Sequence, residues 1–242
     1  MLGLKSPEER SVDREERNKV RRRFPRIPKI LILFAFACVA YFFYQRTVPK
    51  LEYSLADDEI NVLIEPIQNK IKSGEVEEIK LTTDKNKYSL KPMAHYDISA
   101  LVVGKRRYSD PQSDISKFDL ALIWGDLTSK ENLGLVSYTQ SNRWYHFWTE
   151  NIDVLSVKHV SEGSANNHII PANQNIEEAV ELIRKNDEIR LQGYLVNVHA
   201  SFIEDEERGF NTRTSLRRTD TGDGSCEVIY VTKLILDGKI YE

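Results

Sequence analysis

The chain has little cysteine and no acceptor site for N-linked glycosylation. Its 242 residues include two cysteines, Cys38 and Cys226, and no Asn-x-Ser or Asn-x-Thr triplet. Cys38 lies in a long apolar run, which excludes a disulfide within the rest of the chain. A domain formed by residues 47–242 buries enough apolar surface to fold without a disulfide. The missing glycosylation triplet favours a bacterial envelope over a eukaryotic secretory pathway.

An unbroken apolar and aromatic run begins at Ile30 and ends at Tyr44. This run is shorter than the roughly 20 apolar residues that usually span a bilayer. The side chains of Lys29 and Arg46, at its two ends, can nevertheless extend towards the headgroups. The alternative is a cleaved signal peptide. Against it, the charged leader is long and no small-residue cleavage site follows the run. We therefore expect an uncleaved transmembrane signal anchor over residues 30–46, in contact with the lipid bilayer.

The charge on either side of the run predicts its orientation. Residues 1–29 form a basic leader with ten Lys or Arg and five Asp or Glu. Positively charged flanks stay in the cytoplasm, so we expect a protein of the bacterial inner membrane with residues 47–242 outside the cytoplasm. The whole chain carries −3, and because the leader contributes +5 and Arg46 +1, residues 47–242 carry −9. Nucleic acid is not an expected partner, because phosphate binding needs a basic surface.

Apolar spacing divides the exported part into two regions. Residues 47–74 are predicted to form a juxtamembrane spacer and an amphipathic helix over residues 55–71, although Pro66 interrupts it. Residues 75–242 are predicted to form the extracytoplasmic β-rich domain, with short strands between turn residues. A second helix is predicted around residues 176–183, capped by Asn173 or Asn175. The predicted strands are residues 76–82, 96–103, 119–124, 135–140, 144–148, 154–160, 189–198 and 227–236.

These elements predict an α+β fold with a mainly antiparallel β domain, either a partly open barrel or a sandwich. Residues 186–198 (NDEIRLQGYLVNV) contain Gly193 within a strand pattern. A strand broken by glycine is typical of the sharp bend in a five-stranded barrel of the oligonucleotide/oligosaccharide-binding type. An ordinary strand with a β-bulge is the alternative.

The densest group of chemically active residue types lies in residues 214–231 (TSLRRTDTGDGSCEVIYV). Asp220 opens the Asp-Thr-Gly tripeptide of aspartic proteases, but a second copy is missing and basic residues precede it. Gly-Ser-Cys226 resembles the approach to a papain-type nucleophile, yet the downstream histidine of that family is missing. A catalytic pair of Cys226 with His168 or with His199, brought together by the fold, stays an alternative. The alternative is a polar turn between two strands.

His168 lies in NNHIIP, which is similar to the first half of an HNH nuclease motif. Asn replaces the acid of that motif and its second half is missing, so a structural histidine is the alternative. A metal site of His168, His199, Cys226 and Glu227 matches no recognised ligand spacing. No metal or cofactor is therefore predicted. The candidate catalytic residues are His168, Asp220, Asp223, Cys226 and Glu227.

The segment 143–148 (RWYHFW) places aromatic residues on both faces of a predicted strand. Trp144, His146 and Trp148 share one face because side chains alternate along a strand. We expect a strand buried on both sides. The alternative is a stacking platform for a glycan or peptide, or a contact with the membrane surface. These three residues, together with Arg217 and Arg218, are the candidate binding residues.

Several segments together resemble a group of uncharacterised bacterial envelope proteins with one N-terminal membrane span. The segments are HYDISALVVG, DLALIWGDL, RWYHFW, NNHIIPAN, GYLVNV and SLRRTDTGDGSCEVIYV, within residues 95–236. The resemblance implies the envelope compartment and a single exported domain, without an activity. Because a tether raises the effective concentration near membrane partners, we expect an interaction protein that binds another envelope protein. The alternative function is an envelope hydrolase or thiol enzyme that uses His168 and the 220–227 loop.

Overall fold

The structure is a computed structural model that describes residues 29–47, 51–57, 59–150, 153–205, 208–217 and 226–242. The chain divides into two units, Met1–Lys50 and Leu51–Glu242. In the first unit, the segment predicted as an anchor is helical, and helix α1 covers Lys29–Thr47. Among the residues that the structure describes, no helix has the length and apolar character needed to cross a membrane.

The second unit is mainly β, which confirms the α+β prediction with a largely antiparallel sheet. Its described helices are α2, Val157–Glu162, and α3, Gln174–Leu182. Its first six strands are β1 Ser54–Leu55, β2 Ile67–Lys70, β3 Ile79–Thr82, β4 Asn86–Arg107, β5 Phe118–Ile123 and β6 Val136–Ser141. The remaining six are β7 Trp144–Thr149, β8 Ser164–Pro171, β9 Glu188–Phe202, β10 Gly209–Thr212, β11 Glu227–Leu236 and β12 Lys239–Tyr241.

Five strands pair in a closed ring in the order β4, β5, β8, β11, β9 and back to β4. The pairing of β8 with β11 is parallel, and the other four pairings in the ring are antiparallel. Helix α3 follows β8 and precedes β9. Strands β6 and β7 form a separate hairpin within the connection from β5 to β8.

The main hydrophobic core draws on all five ring strands and on α3. Ile98, Leu120, Ile169 and Leu191 are among its fully buried side chains, each worth roughly 1.5–3 kcal/mol of transfer free energy. Helix α3 begins as predicted, because the Asn173 carboxamide oxygen accepts a hydrogen bond from the backbone N–H of Ile176 at 2.9 Å. The apolar stripe of α3 therefore closes over the same core as the strands.

Strand β9 continues unbroken through Gly193, and the irregularity in its pairing lies on the neighbouring strand β11. A Cβ at Gly193 would lie 2.0 Å from the carbonyl oxygen of Tyr230 on the neighbouring strand. The register between β9 and β11 shifts at the same place, between Val231 and Lys233. Only glycine permits this close approach of two backbones at the place where the register shifts.

The predicted helix over residues 55–71 is wrong. The chain turns at residues 62–64, and β2 pairs antiparallel with part of β4, Ile67 opposite Asp97. Pro66 lacks a backbone N–H and its ring clashes with the preceding helical turn. The long strand β4 offers edge hydrogen bonds here, and pairing satisfies the backbone although Leu63 and Ile67 stay exposed.

Two other predictions in the connection from β5 to β9 are also wrong. The strand predicted over residues 154–160 is in fact α2, whose first turn is capped by the Ser156 hydroxyl on the His159 N–H. Strand β8 was not predicted, and in the structure His168 lies on this strand, between β5 and β11 in the ring. A local serine cap outweighs the strand propensity of a short valine-containing segment.

Candidate functional site

The predicted catalytic residues fall on and beside β8 and β11. His168 lies on β8, while Cys226 immediately precedes β11 and Glu227 opens it. Asp220 and Asp223 lie outside the described residues. The strands run parallel, with Val228 opposite His168 in register. The end of the 214–231 segment therefore lies next to NNHIIP, although the two are far apart in sequence.

Asp119 faces His168 from the strand on the other side. The two residues are opposite partners in the antiparallel pairing of β5 with β8, and His168 Nδ1 lies 2.9 Å from Asp119 Oδ1. The contact is a short ion pair and not a well-aligned hydrogen bond. Both side chains are almost fully buried. A carboxylate in this position orients the imidazole and stabilises its protonated form.

The charge state of His168 follows from its surroundings. Burial lowers the pKa of the imidazole, but polar contacts with Asp119 and Cys226 and the charges of both groups outweigh burial and raise the pKa to about 9. His168 is therefore protonated at neutral pH. An imidazole beside a thiol is the arrangement found in cysteine nucleophile sets. Cys226 is half-buried.

Arg143 closes the site from the hairpin. It lies in the β6–β7 turn with a positive φ of 66°, next to Asn142 with a φ of 50°. Its guanidinium contacts Asp119 Oδ1 at 2.8 Å and binds both carboxylate oxygens of Asp110 at 2.8 and 2.9 Å. Burial lowers the pKa of Arg143, but these two carboxylates raise it above its ordinary value. Asp119 is thus held between two cations, Arg143 and His168.

Asn166 supplies a polar group next to the thiol. It precedes His168 by two residues on β8, so both point to the same face of the strand. The Asn166 Nδ2 atom lies 3.7 Å from Cys226 Sγ and 3.3 Å from the carbonyl oxygen of Arg143. Gln140 donates a hydrogen bond to the Asn166 Oδ1 atom at 2.7 Å. Asp119, Arg143 and Asn166 were not identified as site residues from the sequence, although each lies in a segment that the sequence singles out.

Other candidates lie apart from this group. His199 is exposed on β9, and its Nδ1 lies 2.8 Å from Asn211 Oδ1 on β10. Arg217 is exposed, and its backbone N–H donates to the Ser215 hydroxyl, whereas Arg218 lies outside the described residues. Glu227 is buried, and its charge contributes to raising the pKa of Tyr145 behind the larger effect of burial.

Within the described part of the chain, no group of three or more His, Cys, Asp or Glu side chains has an arrangement that holds a metal ion. The chemistry that the site supports with its own residues is nucleophilic. A thiol beside an imidazole, with a carboxylate behind the imidazole, has the parts and the order of an activated nucleophile. Only Cys226 of the two thiols is placed in such a group among the described side chains.

The prediction that the 144–148 strand is buried on both sides is wrong. Tyr145 and Phe147 pack against a hydrophobic cluster that includes Leu101 and Val136. The opposite face is open, with Trp144 39% and Trp148 60% exposed. The strand belongs to a two-stranded sheet, one face of which packs on residues of the ring strands. The aromatic residues on the other side therefore form a surface.

Comparisons of the chain with protein-family models, with curated proteins and with solved structures found no match. The resemblance to bacterial envelope proteins therefore stays a prediction. The candidate site rests on geometry alone.

Proposed function

We propose that this protein is a thiol enzyme, of the hydrolase or transferase type, with Cys226 as its nucleophile. The observation that carries the proposal is the position of His168, which contacts Cys226 and lies 2.9 Å from Asp119. Three chain segments that are distant in sequence contribute one group each. Such convergence of a thiol, an imidazole and a carboxylate is how nucleophile sets are recognised, irrespective of their order in the chain.

Each residue has a defined role in this proposal. His168 lies beside Cys226 as the partner of the nucleophile and provides the proton that a leaving group needs. Asp119 is a positioning residue, which fixes the imidazole and balances its charge. Arg143 holds Asp119 in place through the buried ion pair at 2.8 Å. His168, which carries the proton for the leaving group, and Asp119 therefore lie on the same face of the strand pair β5–β8.

The topology supports placing a ligand at this face. The ring order, the parallel pair β8–β11 and the helix between the third and fourth ring strands fit the oligonucleotide/oligosaccharide-binding barrel that the sequence suggested. Such barrels bind ligands on the face of their second and third strands and in the loops after the first and fourth. The corresponding strands here are β5 and β8, which carry Asp119 and His168. This argument is an analogy between folds and gives no substrate.

The compartment is part of the proposal. The apolar run from Ile30 to Tyr44 and the basic leader before it support a tether in the bacterial inner membrane, with residues 47–242 outside the cytoplasm. There a tethered thiol enzyme acts on envelope substrates at high effective concentration.

The test is the rate at which iodoacetamide alkylates Cys226 in the detergent-solubilised full-length protein between pH 5 and 9, with peptide mapping to separate Cys226 from Cys38. We expect alkylation of Cys226 at pH 6 to be at least tenfold faster than that of free glutathione, because an adjacent imidazole activates a nucleophilic sulfur. His168→Gln is expected to remove this advantage. The matched control His199→Gln changes an exposed histidine outside the site and is expected to leave the rate unchanged. A wild-type rate equal to that of glutathione would overturn the proposal.

A second candidate function is favoured by the open face of β7. Trp144, His146 and Trp148 form an exposed aromatic row, and large exposed apolar groups in rows are typical of binding surfaces. We propose here that the exported domain binds another envelope protein. The test is affinity purification of the tagged full-length protein from gently solubilised membranes. We expect a stoichiometric partner that is lost in a Trp144→Ser, Trp148→Ser variant and kept in a Val157→Ser variant, which alters an exposed apolar residue elsewhere.

A further inference from the structure

The side chain of Asn166 is buried and held in one orientation beside the proposed nucleophile. Its Oδ1 accepts from Gln140 Nε2 at 2.7 Å, so its N–H₂ group faces the other way. That group lies 3.7 Å from Cys226 Sγ, 3.3 Å from the Arg143 carbonyl oxygen and 3.5 Å from Asp119 Oδ2. The two contacts with oxygen are long for hydrogen bonds from an amide, and the third is with sulfur, a weak acceptor. A donor at the thiol is therefore only weakly used in the resting protein.

An N–H donor that makes only weak hydrogen bonds beside a nucleophile is suited to one kind of reaction. When a thiolate attacks a carbonyl carbon, the carbonyl oxygen becomes negatively charged within bonding distance of the sulfur. A preorganised N–H aimed at that oxygen stabilises the transition state more than the ground state. Alkylation and disulfide exchange develop no such oxygen charge. A donor here is useful for carbonyl substrates and superfluous for the other reactions of thiols.

We infer that the site transfers acyl groups, and that Asn166 Nδ2 binds the oxyanion formed when Cys226 attacks an ester or amide carbonyl. This inference deepens the proposed function and rests on it. It narrows the substrate class to acyl compounds and assigns Asn166 as a catalytic residue that touches the reacting oxygen. The side chain reaches the position because Asn166 and His168 are on the same face of β8, next to the residue that precedes β11.

The reaction balances with the residues of the site and water. The Cys226 thiolate forms a C–S bond to the carbonyl carbon, and the electron pair of the C=O double bond moves to oxygen, where Asn166 donates. As the pair returns, the bond to the leaving group breaks, and the leaving oxygen or nitrogen takes the proton of His168. Neutral His168 then accepts a proton from water, the hydroxide attacks the thioester, and the carboxylic acid and thiolate are released.

Gln140 acts as a positioning residue, and a glycine makes room for it. A Cβ at Gly104 would lie 2.7 Å from Gln140 Oε1. Replacing Gly104 with alanine therefore displaces the Gln140 carboxamide, which is the end of a flexible side chain, without altering any residue of the site. The displaced Gln140 no longer fixes the Asn166 amide.

The experiment compares two reagents on the full-length protein. 4-Nitrophenyl acetate acetylates a thiolate through an oxyanion, whereas iodoacetamide alkylates it without one, and intact-mass and peptide analysis measures both at Cys226. In Asn166→Ala we expect acetylation to fall by about 100-fold, the usual effect of removing one oxyanion donor, with alkylation within about threefold of wild type. Gly104→Ala is expected to lower acetylation selectively by about tenfold. Asn69→Ala, at an exposed amide on β2, is the matched control.

The outcomes separate the two proposals. If Asn166→Ala and Gly104→Ala keep both wild-type rates, the oxyanion role is overturned and the thiol enzyme stands. If wild-type Cys226 reacts with neither reagent faster than glutathione does, the proposed function itself falls, and the inference with it. If Asn166→Ala does not fold, as judged by thermal unfolding, Gly104→Ala alone decides, because it removes no polar group from the site.

Discussion

Asp119 and His168 face each other across two neighbouring antiparallel strands, and their side chains form an ion pair of 2.9 Å beneath the guanidinium of Arg143. The pair lies on the same face as Asn166 and next to Cys226. Since the carboxylate and the imidazole are almost completely buried, their charges are weakly screened by solvent. Changes in pH, and substitutions that leave one of these charges unpaired, should therefore have measurable effects.

We predict that raising the pH destabilises the fold through His168. Its pKa is about 9 in the folded protein and about 6.5 in an unfolded chain. Between these values the folded state binds more protons than the unfolded state, so stability falls as the pH rises. The contribution is complete below about pH 6.5 and is lost through pH 9, on the order of 3 kcal/mol. Urea unfolding at pH 6 and 9.5 measures it, and His168→Gln should remove most of the difference. If His168→Gln lost as much stability between pH 6 and 9.5 as the wild type, the pH dependence could not be assigned to His168.

We predict that Arg143→Gly destabilises the protein by about 3–5 kcal/mol, the usual cost of breaking a buried ion pair. Glycine adopts the positive φ of 66° at this position more readily than arginine does. The substitution therefore relieves the backbone, and the expected loss of stability comes from the ion pairs with Asp110 and Asp119. Asn142→Gly, in the same turn with a φ of 50°, controls for the turn and should be neutral or slightly stabilising. Chemical denaturation of both variants is the measurement. Equal stability of the two would mean that the ion pairs contribute nothing.

We predict that Gly193→Ala is strongly destabilising, by more than about 3 kcal/mol. Its Cβ would lie 2.0 Å from the Tyr230 carbonyl oxygen, and backbone atoms on both sides cannot move independently of the ring. Gly238→Ala provides the comparison, since Gly238 has a φ of 68° but a Cβ added there would meet no atom within 4 Å. We expect it to cost about 1 kcal/mol, from backbone conformation alone. Thermal unfolding should separate the two variants by several degrees.

We predict that the two faces of β7 respond differently to substitution. Trp148→Ser should change the free energy of unfolding by less than about 0.5 kcal/mol, because the side chain is 60% exposed. Phe147→Ala should cost on the order of 2 kcal/mol, since the ring packs against a buried cluster. Urea unfolding gives both values. A large loss in Trp148→Ser would indicate that the aromatic row supports the fold and is not a free surface.

The sequence predicts regular elements well where an apolar face alternates with a polar one. Strand β11 matches residues 227–236, and α3 begins after its predicted cap Asn173. Strand β8 was missed because Asn166, Asn167 and His168 are polar and consecutive, so no alternation is visible. All three are nonetheless buried. Gln140 donates to Asn166, Asn167 donates to the Leu120 carbonyl oxygen, and His168 forms an ion pair with Asp119.

The misassigned helix over residues 55–71 has the opposite cause. Its helical spacing is genuine, but Pro66 interrupts it and the edge of β4 supplies backbone hydrogen bonds. Neither the length of β4 nor its free edge is visible in a window of sequence. Tertiary context therefore outweighed local periodicity here.

The sequence by itself determined which residue types are present for chemistry, namely one thiol outside the apolar run and a histidine in a polar segment. It also determined the charge asymmetry around residues 30–44. Only the tertiary structure decided that Cys226 meets His168 and not His199, and that Asp119, Arg143 and Asn166 complete the group. The physical reason is strand register. Closure of the five-stranded ring sets which residues face each other, and a shift of one residue would turn these side chains to the opposite face.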